Sequence, residues 1–222
     1  MTTRFTDTLR QNLDPVWQAL HRHPFTRALG DGRLEPDRFQ VWLRQNYLFL
    51  IGYARLFSHA AARADRVTMK WMIGMAHGVL HHEMLLHEAY AVEFGLAGDE
   101  LPAGVKLPTT RAYTDHLLRT ASLGSMLELV AALLPCLWSH AELAQRLAPQ
   151  ANVNDNRYAR WIDLYSGPVA ERNARQGRDL LDRLAAGAGP EPLAAAEDAF
   201  AASSRYEWMF LEMCHKGESW PV

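Results

Sequence analysis

The chain has 222 residues, enough for one large domain or two small ones with a substantial buried core. Its formal net charge is -2 at pH 7 and no lysine and arginine block stands out, so we expect no nucleic-acid-binding surface. The two cysteines, Cys136 and Cys214, lie far apart, a usage that predicts free thiols in a reducing compartment. The first residues lack the apolar segment of a signal peptide, and the longest apolar run, "LELVAALLPCLW", is interrupted by Glu128 and short for a membrane span. These features predict a cytoplasmic protein with no membrane partner.

Apolar residues recur with the helical period of 3.6 almost throughout, and strand-like alternation is nearly absent. The predicted elements are helices over about Thr3–Arg22, Pro36–Ala64, Thr68–Phe94 and Pro108–Ala121, a fifth after Gly124, a sixth from about Asp155 that breaks at "YSGPVAE", and a last one over about Leu193–Cys214. The stretch "HPFTRALGDGRLEPDRF" between the first two helices is predicted as a loop. Nothing resembles an inter-domain linker, so we predict one all-α domain over residues 1–222, a helical bundle of about seven helices.

Polar residues on buried faces are the informative ones in such a protein. The second helix is apolar on most of its circumference, and its spacing places Asn46, Phe49 and Tyr53 on one face. A buried carboxamide needs both donors and acceptors. Neighbouring helix backbones could satisfy Asn46, and a bound ligand could do the same.

The fifth helix contains the stretch "ALLPCLWSHAEL", with a proline directly before a cysteine. Pro135 removes one backbone N–H and frees a carbonyl, which predicts a kink that could turn the thiol of Cys136 toward a cavity. His140 follows one turn later, where an imidazolium could stabilise a thiolate. Free cysteine is also among the residues most often fully buried, so the spacing alone leaves a core-filling role open.

In the last helix, Glu207 is surrounded in sequence by apolar bulk, namely Tyr206, Trp208 and Met209. Burial there would favour the neutral acid, which could deliver a proton to a substrate. The alternative is a solvated carboxylate at the edge of an amphipathic helix.

The third helix carries "HGVLHHEMLLHEAY", which invites a metal-binding interpretation. However, the repeated Glu-x-x-His motif of di-iron bundles and the His-Glu-x-x-His spacing of zinc proteases are both missing. A structural network between Glu83 and His87 is the favoured interpretation, and no metal site is predicted.

Six segments that run in order through almost the whole chain resemble those of the TenA/thiaminase II family: "HPFTRALGDG", "EMLLHEAYA", "PTTRAYTDHLLRTA", "AALLPCLW", "YARWIDLYSG" and "SSRYEWMFLEM" with "ESWPV". The resemblance implies the haem-oxygenase-like fold. For the cysteine-containing branch it implies hydrolysis of aminopyrimidines, in which an aminomethyl-pyrimidine becomes the hydroxymethyl form with release of ammonia in thiamin salvage. It also implies a homo-oligomer, typically a tetramer. No cofactor is predicted.

The resemblance assigns roles to individual residues. Cys136 corresponds to the nucleophile that attacks the pyrimidine ring, and Glu207 to the carboxyl that hydrogen-bonds a ring nitrogen and exchanges its proton. The substrate-binding positions implied are Asn46, Phe49, Tyr113, His140, Tyr165 and Phe210.

Three of these positions depart from the family pattern. Asn46 stands where the family usually has aspartate; an amide can accept from the 4-amino group and donate to the adjacent ring nitrogen, but it cannot transfer a proton. His140 replaces a tyrosine, and it could activate Cys136 or accommodate a different ring substituent. Phe49 stands where some members have a tyrosine. The exact substrate therefore stays open.

Three other interpretations compete with the hydrolase prediction. The first is a catalytically altered pyrimidine-binding or regulatory protein, which Asn46 keeps open. The second is a di-metal oxidase, which the sequence disfavours because Tyr206, Phe210 and Met213 stand where a ligand cluster would be needed. Haem binding is the least favoured, since His21 or His23 alone does not imply it.

Overall fold

The computed structural model describes residues 3–97, 100–149 and 156–222. The described residues form helices and no strands, which confirms the predicted all-α class. The helices are α1 (Phe5–Asn12), α2 (Asp14–Arg22), α3 (Pro24–Gly30), α4 (Pro36–Arg63), α5 (Arg66–Gly78), α6 (Met84–Glu93), α7 (Pro108–Leu123), α8 (Met126–Leu147), α9 (Ala159–Ser166), α10 (Pro168–Ala185) and α11 (Pro190–Lys216). A π-helical segment, Val79–Glu83, joins α5 to α6.

The helices are more numerous than predicted because two predicted helices are divided and one further helix lies in a predicted loop; the π-helical segment makes the division between α5 and α6. The first predicted helix is divided at Leu13, whose backbone leaves the helical region, and α2 carries Pro15 in its first turn. Proline lacks the N–H that a continuous helix would need there. The predicted break at "YSGPVAE" is confirmed, since α9 ends at Ser166 and α10 begins at Pro168.

The predicted loop after the first helix contains α3. Pro24 is its first residue, and the side chain of His23 accepts a hydrogen bond from the backbone N–H of Phe25 at 3.2 Å. Histidine is not among the usual N-cap residues, so the start of this helix had no standard sequence signal. The predicted start of the sixth helix, Asp155, lies outside the described residues.

The helices group into two compact units. Unit 1 comprises Met1–Leu34 and Leu127–Glu212, and unit 2 comprises Glu35–Met126 and Met213–Val222. The core of unit 1 includes Trp17, which packs edge-on against Trp138 at 5.1 Å between ring centroids. The core of unit 2 includes Phe39, stacked with Trp42 at 5.4 Å. Each unit therefore has its own aromatic core.

Helix α8 is the most apolar of the long helices in unit 1, and it continues through Pro135. The apolar run in the sequence was short, so no membrane span was predicted. The complete helix has 22 residues and, by length and composition alone, could cross a membrane. In its most apolar window, 61 % of the residues are buried inside the fold. That burial is typical of a core helix in a soluble protein.

Candidate active site

Three reactive side chains converge in unit 1. Helix α8 carries Cys136 and His140 one turn apart, and α11 carries Glu207. The Cys136 sulfur, one ring nitrogen of His140 and one carboxylate oxygen of Glu207 all lie within 4.8 Å of one another. Cys136 is half-buried and Glu207 is 5 % exposed, so the edge-of-helix alternative for Glu207 is wrong. A nucleophile, a base and a carboxyl within reach of one another can carry out proton-coupled covalent chemistry.

The hydrogen bonds of His140 define where its proton lies. Nδ1 is 2.9 Å from the backbone carbonyl oxygen of Cys136, and a carbonyl only accepts, so Nδ1–H is the donor. The same nitrogen is 3.5 Å from Oε2 of Glu207. In the neutral ring the lone pair is therefore on Nε2, which is the atom able to take a proton.

Helix α9 adds an aromatic wall to this cluster. The ring of Tyr165 lies 5.1 Å from that of His140, tilted by 45°. Trp161, which is not among the predicted site residues, lies 4.8 Å from Tyr165 and 6.0 Å from His140 between ring centroids. Its spacing of four residues before Tyr165 in "YARWIDLYSG" was a usable signal. Phe210 is on α11, three residues after Glu207, and is also buried. These rings could hold a flat substrate.

The second cysteine differs from the first in environment. Cys214 is buried, and burial raises the pKa of its thiol well above the usual value. A thiol that resists ionisation is a poor nucleophile. Of the two cysteines, Cys136 is the one placed for chemistry.

Other predicted site residues lie in unit 2, where α4 carries Asn46. The side-chain nitrogen Nδ2 of Asn46 is 2.7 Å from Nε2 of His87, and both residues are buried. The partner of the carboxamide is thus an imidazole, not the helix backbones considered as an alternative. No sequence signal connected these two residues, which are 41 positions apart.

His87 is held at its other nitrogen and on one ring face. Nδ1 is 2.8 Å from the backbone carbonyl oxygen of Glu83, and Trp42 stacks on the ring at 5.0 Å between centroids. The predicted network between Glu83 and His87 therefore exists through the main chain of Glu83, the last residue of the π-helical segment.

The remaining two predicted residues of unit 2 are in contact with each other. The rings of Phe49 and Tyr113 are 4.9 Å apart, and Tyr53 stacks on Phe49 at 5.4 Å. All three are buried. The predicted shared face of Asn46, Phe49 and Tyr53 is consistent with their common burial on α4.

The reactive cluster of unit 1 also contains residue types that hold metal ions. Among the described residues it is the one group of three or more such side chains with ligand atoms this close. Thiolate, imidazole and carboxylate together suit zinc. The absence of a metal from the reaction stays a prediction.

The chain matches the model of the TENA/THI-4/PQQC family over residues 10–216. It is 37 % identical over 218 residues to an aminopyrimidine aminohydrolase of Halalkalibacterium halodurans, with 97 % of each chain covered. An aminopyrimidine aminohydrolase of Bacillus subtilis is 31 % identical over 218 residues, which cover 98 % of this chain and 92 % of the relative.

Solved structures agree with the family match. The TenA homologue of P. horikoshii OT3 has a TM-score of 0.88 and 26 % identity, over 97 % of this chain and 100 % of that chain. A domain from Shewanella denitrificans described as having a haem-oxygenase-like fold has a TM-score of 0.76 at 12 % identity, over 96 % of this chain and 92 % of that chain. The predicted haem-oxygenase-like fold is confirmed. By the family match over most of its length, this chain belongs to the TENA/THI-4/PQQC family.

Proposed function

We propose that this protein is an aminopyrimidine aminohydrolase, a hydrolase of the thiaminase II type. Its substrate is 4-amino-5-aminomethyl-2-methylpyrimidine or a related thiamin breakdown product, and its role is thiamin salvage. The observation that carries the proposal is the cluster of Cys136, His140 and Glu207 within 4.8 Å. The two relatives named aminopyrimidine aminohydrolase, at 37 % and 31 % identity, support it.

The proposed reaction begins with protonation of the ring. Glu207, as the neutral acid, gives its proton to a ring nitrogen, and the Cys136 thiolate forms a bond from its sulfur to a ring carbon. His140, protonated by the Cys136 thiol, gives this proton to the exocyclic amine, and the electron pair of the adduct expels the amine as ammonia. Water then adds to the exocyclic carbon and gives one proton to His140. The carbon–sulfur bond breaks, the ring nitrogen returns its proton to Glu207, and His140 returns its proton to the Cys136 thiolate. The net change is replacement of the amino group by a hydroxyl.

His140 provides the base that this sequence needs. With Nδ1–H directed at the carbonyl of Cys136, Nε2 of the neutral ring is the acceptor, and it takes the thiol proton. The charged ring would then lie beside Glu207 and stabilise the thiolate form of the cysteine. The rings of Tyr165, Trp161 and Phe210 hold the pyrimidine flat.

We further propose that Asn46, Phe49 and Tyr113 contribute to pyrimidine recognition. The carboxamide matches the 4-amino group and the adjacent ring nitrogen, much as asparagine matches adenine. Family resemblance supports three wider parts of the proposal: one functional domain over residues 1–222, a homotetramer, and a cytoplasmic location.

The test is ammonia release from 4-amino-5-aminomethyl-2-methylpyrimidine by the wild type, Cys136→Ser and Cys214→Ser. Removing the nucleophile is expected to reduce the rate at least about a thousandfold. The buried Cys214 is the matched control, and its replacement is expected to leave the rate within a few-fold. A wild type that releases no ammonia, or a Cys136→Ser variant that retains the rate, would contradict the proposal.

The second candidate is a pyrimidine-binding protein with altered chemistry. It is favoured by Asn46, because an amide cannot transfer the proton that an aspartate could. Its signature is wild-type binding of the aminopyrimidine, measured by calorimetry, with no ammonia released.

A further inference from the structure

The hydrogen-bond chain from Glu83 through His87 to Asn46 has a definite direction. It begins at the main-chain carbonyl of Glu83, 2.8 Å from Nδ1 of His87. Because a carbonyl oxygen has no proton to give, Nδ1 must be the donor. The neutral imidazole then has its lone pair on Nε2.

The direction continues into the carboxamide. Nε2 of His87, as an acceptor, requires a donor from Asn46, and the amide nitrogen Nδ2 at 2.7 Å is that donor. The nitrogen and oxygen of an asparagine side chain are otherwise difficult to distinguish, and their assignment rests on the surrounding hydrogen bonds. Here those bonds place the NH2 group on the His87 side. The carbonyl oxygen Oδ1 and the second N–H of the amide remain to bind another group.

The surroundings of His87 hold this arrangement in place. His87 is 1 % exposed, and Trp42 stacks on its ring with an interplanar angle of 26°. Rotation of the imidazole would break the stack and two hydrogen bonds in a buried environment, where unsatisfied polar groups are costly. Asn46 is therefore presented in one orientation.

We propose that His87 is a positioning residue that fixes the donor and acceptor ends of Asn46, and thereby selects 4-aminopyrimidines over 4-oxopyrimidines. This inference rests on the proposed recognition of the pyrimidine by Asn46. His87 does not itself touch the substrate in this proposal.

The selectivity follows from the polarity of the two ring edges. A 4-aminopyrimidine offers an N–H donor next to a ring-nitrogen acceptor, which pairs with Oδ1 and with the second N–H of Asn46. A 4-oxopyrimidine offers an acceptor next to an N–H donor, so the same amide would meet like groups at both positions. A freely rotating amide could turn over and bind the oxo compound. An amide held by His87 cannot.

The experiment compares two ligands that differ only at this edge: 4-amino-5-hydroxymethyl-2-methylpyrimidine and its 4-oxo counterpart. Their dissociation constants are measured by calorimetry for the wild type and His87→Phe, which keeps an aromatic ring against Trp42 but removes both nitrogens. His82→Phe, at an exposed position of the π-helical segment, is the matched control. The preference for the amino compound is expected to fall about tenfold or more in His87→Phe and to stay unchanged in His82→Phe.

Repeating the His87→Phe change in an Asn46→Asp variant shows whether His87 orients the side chain at position 46 or only supports the fold. Both oxygens of a carboxylate accept hydrogen bonds, so turning over an aspartate side chain at position 46 would not exchange a donor for an acceptor. In Asn46→Asp, the additional change His87→Phe is expected to alter the amino-to-oxo preference less than about twofold. Equal loss of affinity for both ligands upon His87→Phe, or the same change of preference in both backgrounds, would overturn the proposal.

The tautomer of His87 can be read without any ligand. In 15N NMR of the free wild-type protein, Nδ1 of His87 is expected to be protonated and Nε2 unprotonated. The reverse tautomer would overturn the inference. If the wild type releases no ammonia but prefers the amino compound, and His87→Phe reduces that preference, only the hydrolase proposal is contradicted. Ammonia release with a preference that His87→Phe leaves unchanged would contradict the role of His87 alone.

Discussion

The candidate site residues of the two units differ in chemical character. In unit 1, a thiol, an imidazole and a carboxyl lie within 4.8 Å, and each can gain or lose a proton. In unit 2, a carboxamide is hydrogen-bonded to an imidazole whose other nitrogen is also occupied, and the rings of Phe49 and Tyr113 lie 4.9 Å apart. Groups of the first kind suit bond making, and groups of the second kind suit recognition of a fixed pattern. Substitutions that remove one of these groups should therefore change the rate in unit 1, and the choice and affinity of the ligand in unit 2.

The largest effect is expected from Glu207→Gln. The amide keeps the size of the side chain but cannot donate an acidic proton to a ring nitrogen, so kcat for ammonia release should fall about a thousandfold. The KM should change only a few-fold. Steady-state kinetics with the aminomethyl-pyrimidine measure both quantities.

Glu212→Gln is the matched control for this prediction. Glu212 is also on α11, but it pairs with His23 at 3.1 Å and is not part of the reactive cluster. Its replacement should leave kcat within a few-fold. A Glu207→Gln variant with near-normal kcat and a large increase in KM would assign Glu207 to recognition and remove the contrast between the two units.

The next effect concerns another histidine, His21 in unit 1, whose side chain is 7 % exposed. Neither of its ring nitrogens has a hydrogen-bond partner among the described residues, whereas both nitrogens of His87 do. Burial, with a further contribution from Arg146, lowers the pKa of His21 to about 4. Glu142, at 3.4 Å, acts in the opposite direction but does not compensate.

The consequence is a loss of stability in mild acid. The unfolded histidine has a pKa of about 6.5, above the folded value, so the unfolded chain binds more protons between the two. The contribution of neutral His21 to the free energy of unfolding is therefore fully present above about pH 6.5, and it is lost as the pH falls toward about 4. With solvent screening taken into account, the loss is expected to be about 2 kcal/mol.

Urea unfolding of the wild type and His21→Leu at several values in this pH range measures the effect. The variant should show a flatter dependence of unfolding free energy on pH. Identical slopes for the two proteins would mean that His21 is protonated in the fold or that other groups govern acid sensitivity.

The sequence predicted those features that depend on local periodicity. The helical spacing placed Cys136 and His140 one turn apart and Asn46, Phe49 and Tyr53 on one face, and the structure agrees. It could not predict the pairing of Asn46 with His87, because periodicity shows which residues share one face of a helix but not which residues of another helix pack against that face. The π-helical segment before α6 also shifts the helical phase of the residues that follow it, and His87 is among them.

The proximity of Glu207 to Cys136 was beyond the reach of local patterns for the same reason, and only the family resemblance suggested it. The division between α1 and α2 at Leu13 was not predicted because the apolar spacing continues across it. Pro15, which lacks the N–H of a continuous helix, was the sequence signal for this division. Long-range contacts and unusual caps, such as His23 on α3, thus account for most of what the sequence left open.

A smaller effect is expected from Asn46→Asp. A carboxylate accepts from the 4-amino group and can also take part in proton transfer, so kcat should rise about tenfold. Nε2 of His87 faces position 46, so the imidazole must take up a proton to pair with the new carboxylate. The measurement is the pH profile of kcat for both proteins. An unchanged or lower kcat at every pH would mean that the amide is suited to this protein's own substrate.

The smallest effect is expected from Phe49→Tyr, which adds one hydroxyl to the ring cluster of unit 2. Phe49 is buried between Tyr53 and Tyr113, so the hydroxyl needs a new partner, and the free energy of unfolding should fall by about 1 kcal/mol. Phe57→Tyr is the matched control, because Phe57 is fully buried and packs edge-on against the same Tyr53. If recognition in unit 2 depends on the amide of Asn46, both variants should leave KM within about threefold. A much larger change in KM for Phe49→Tyr alone would show that the hydroxyl contacts the substrate, and that the face of α4 reads the pyrimidine through its rings as well as its amide.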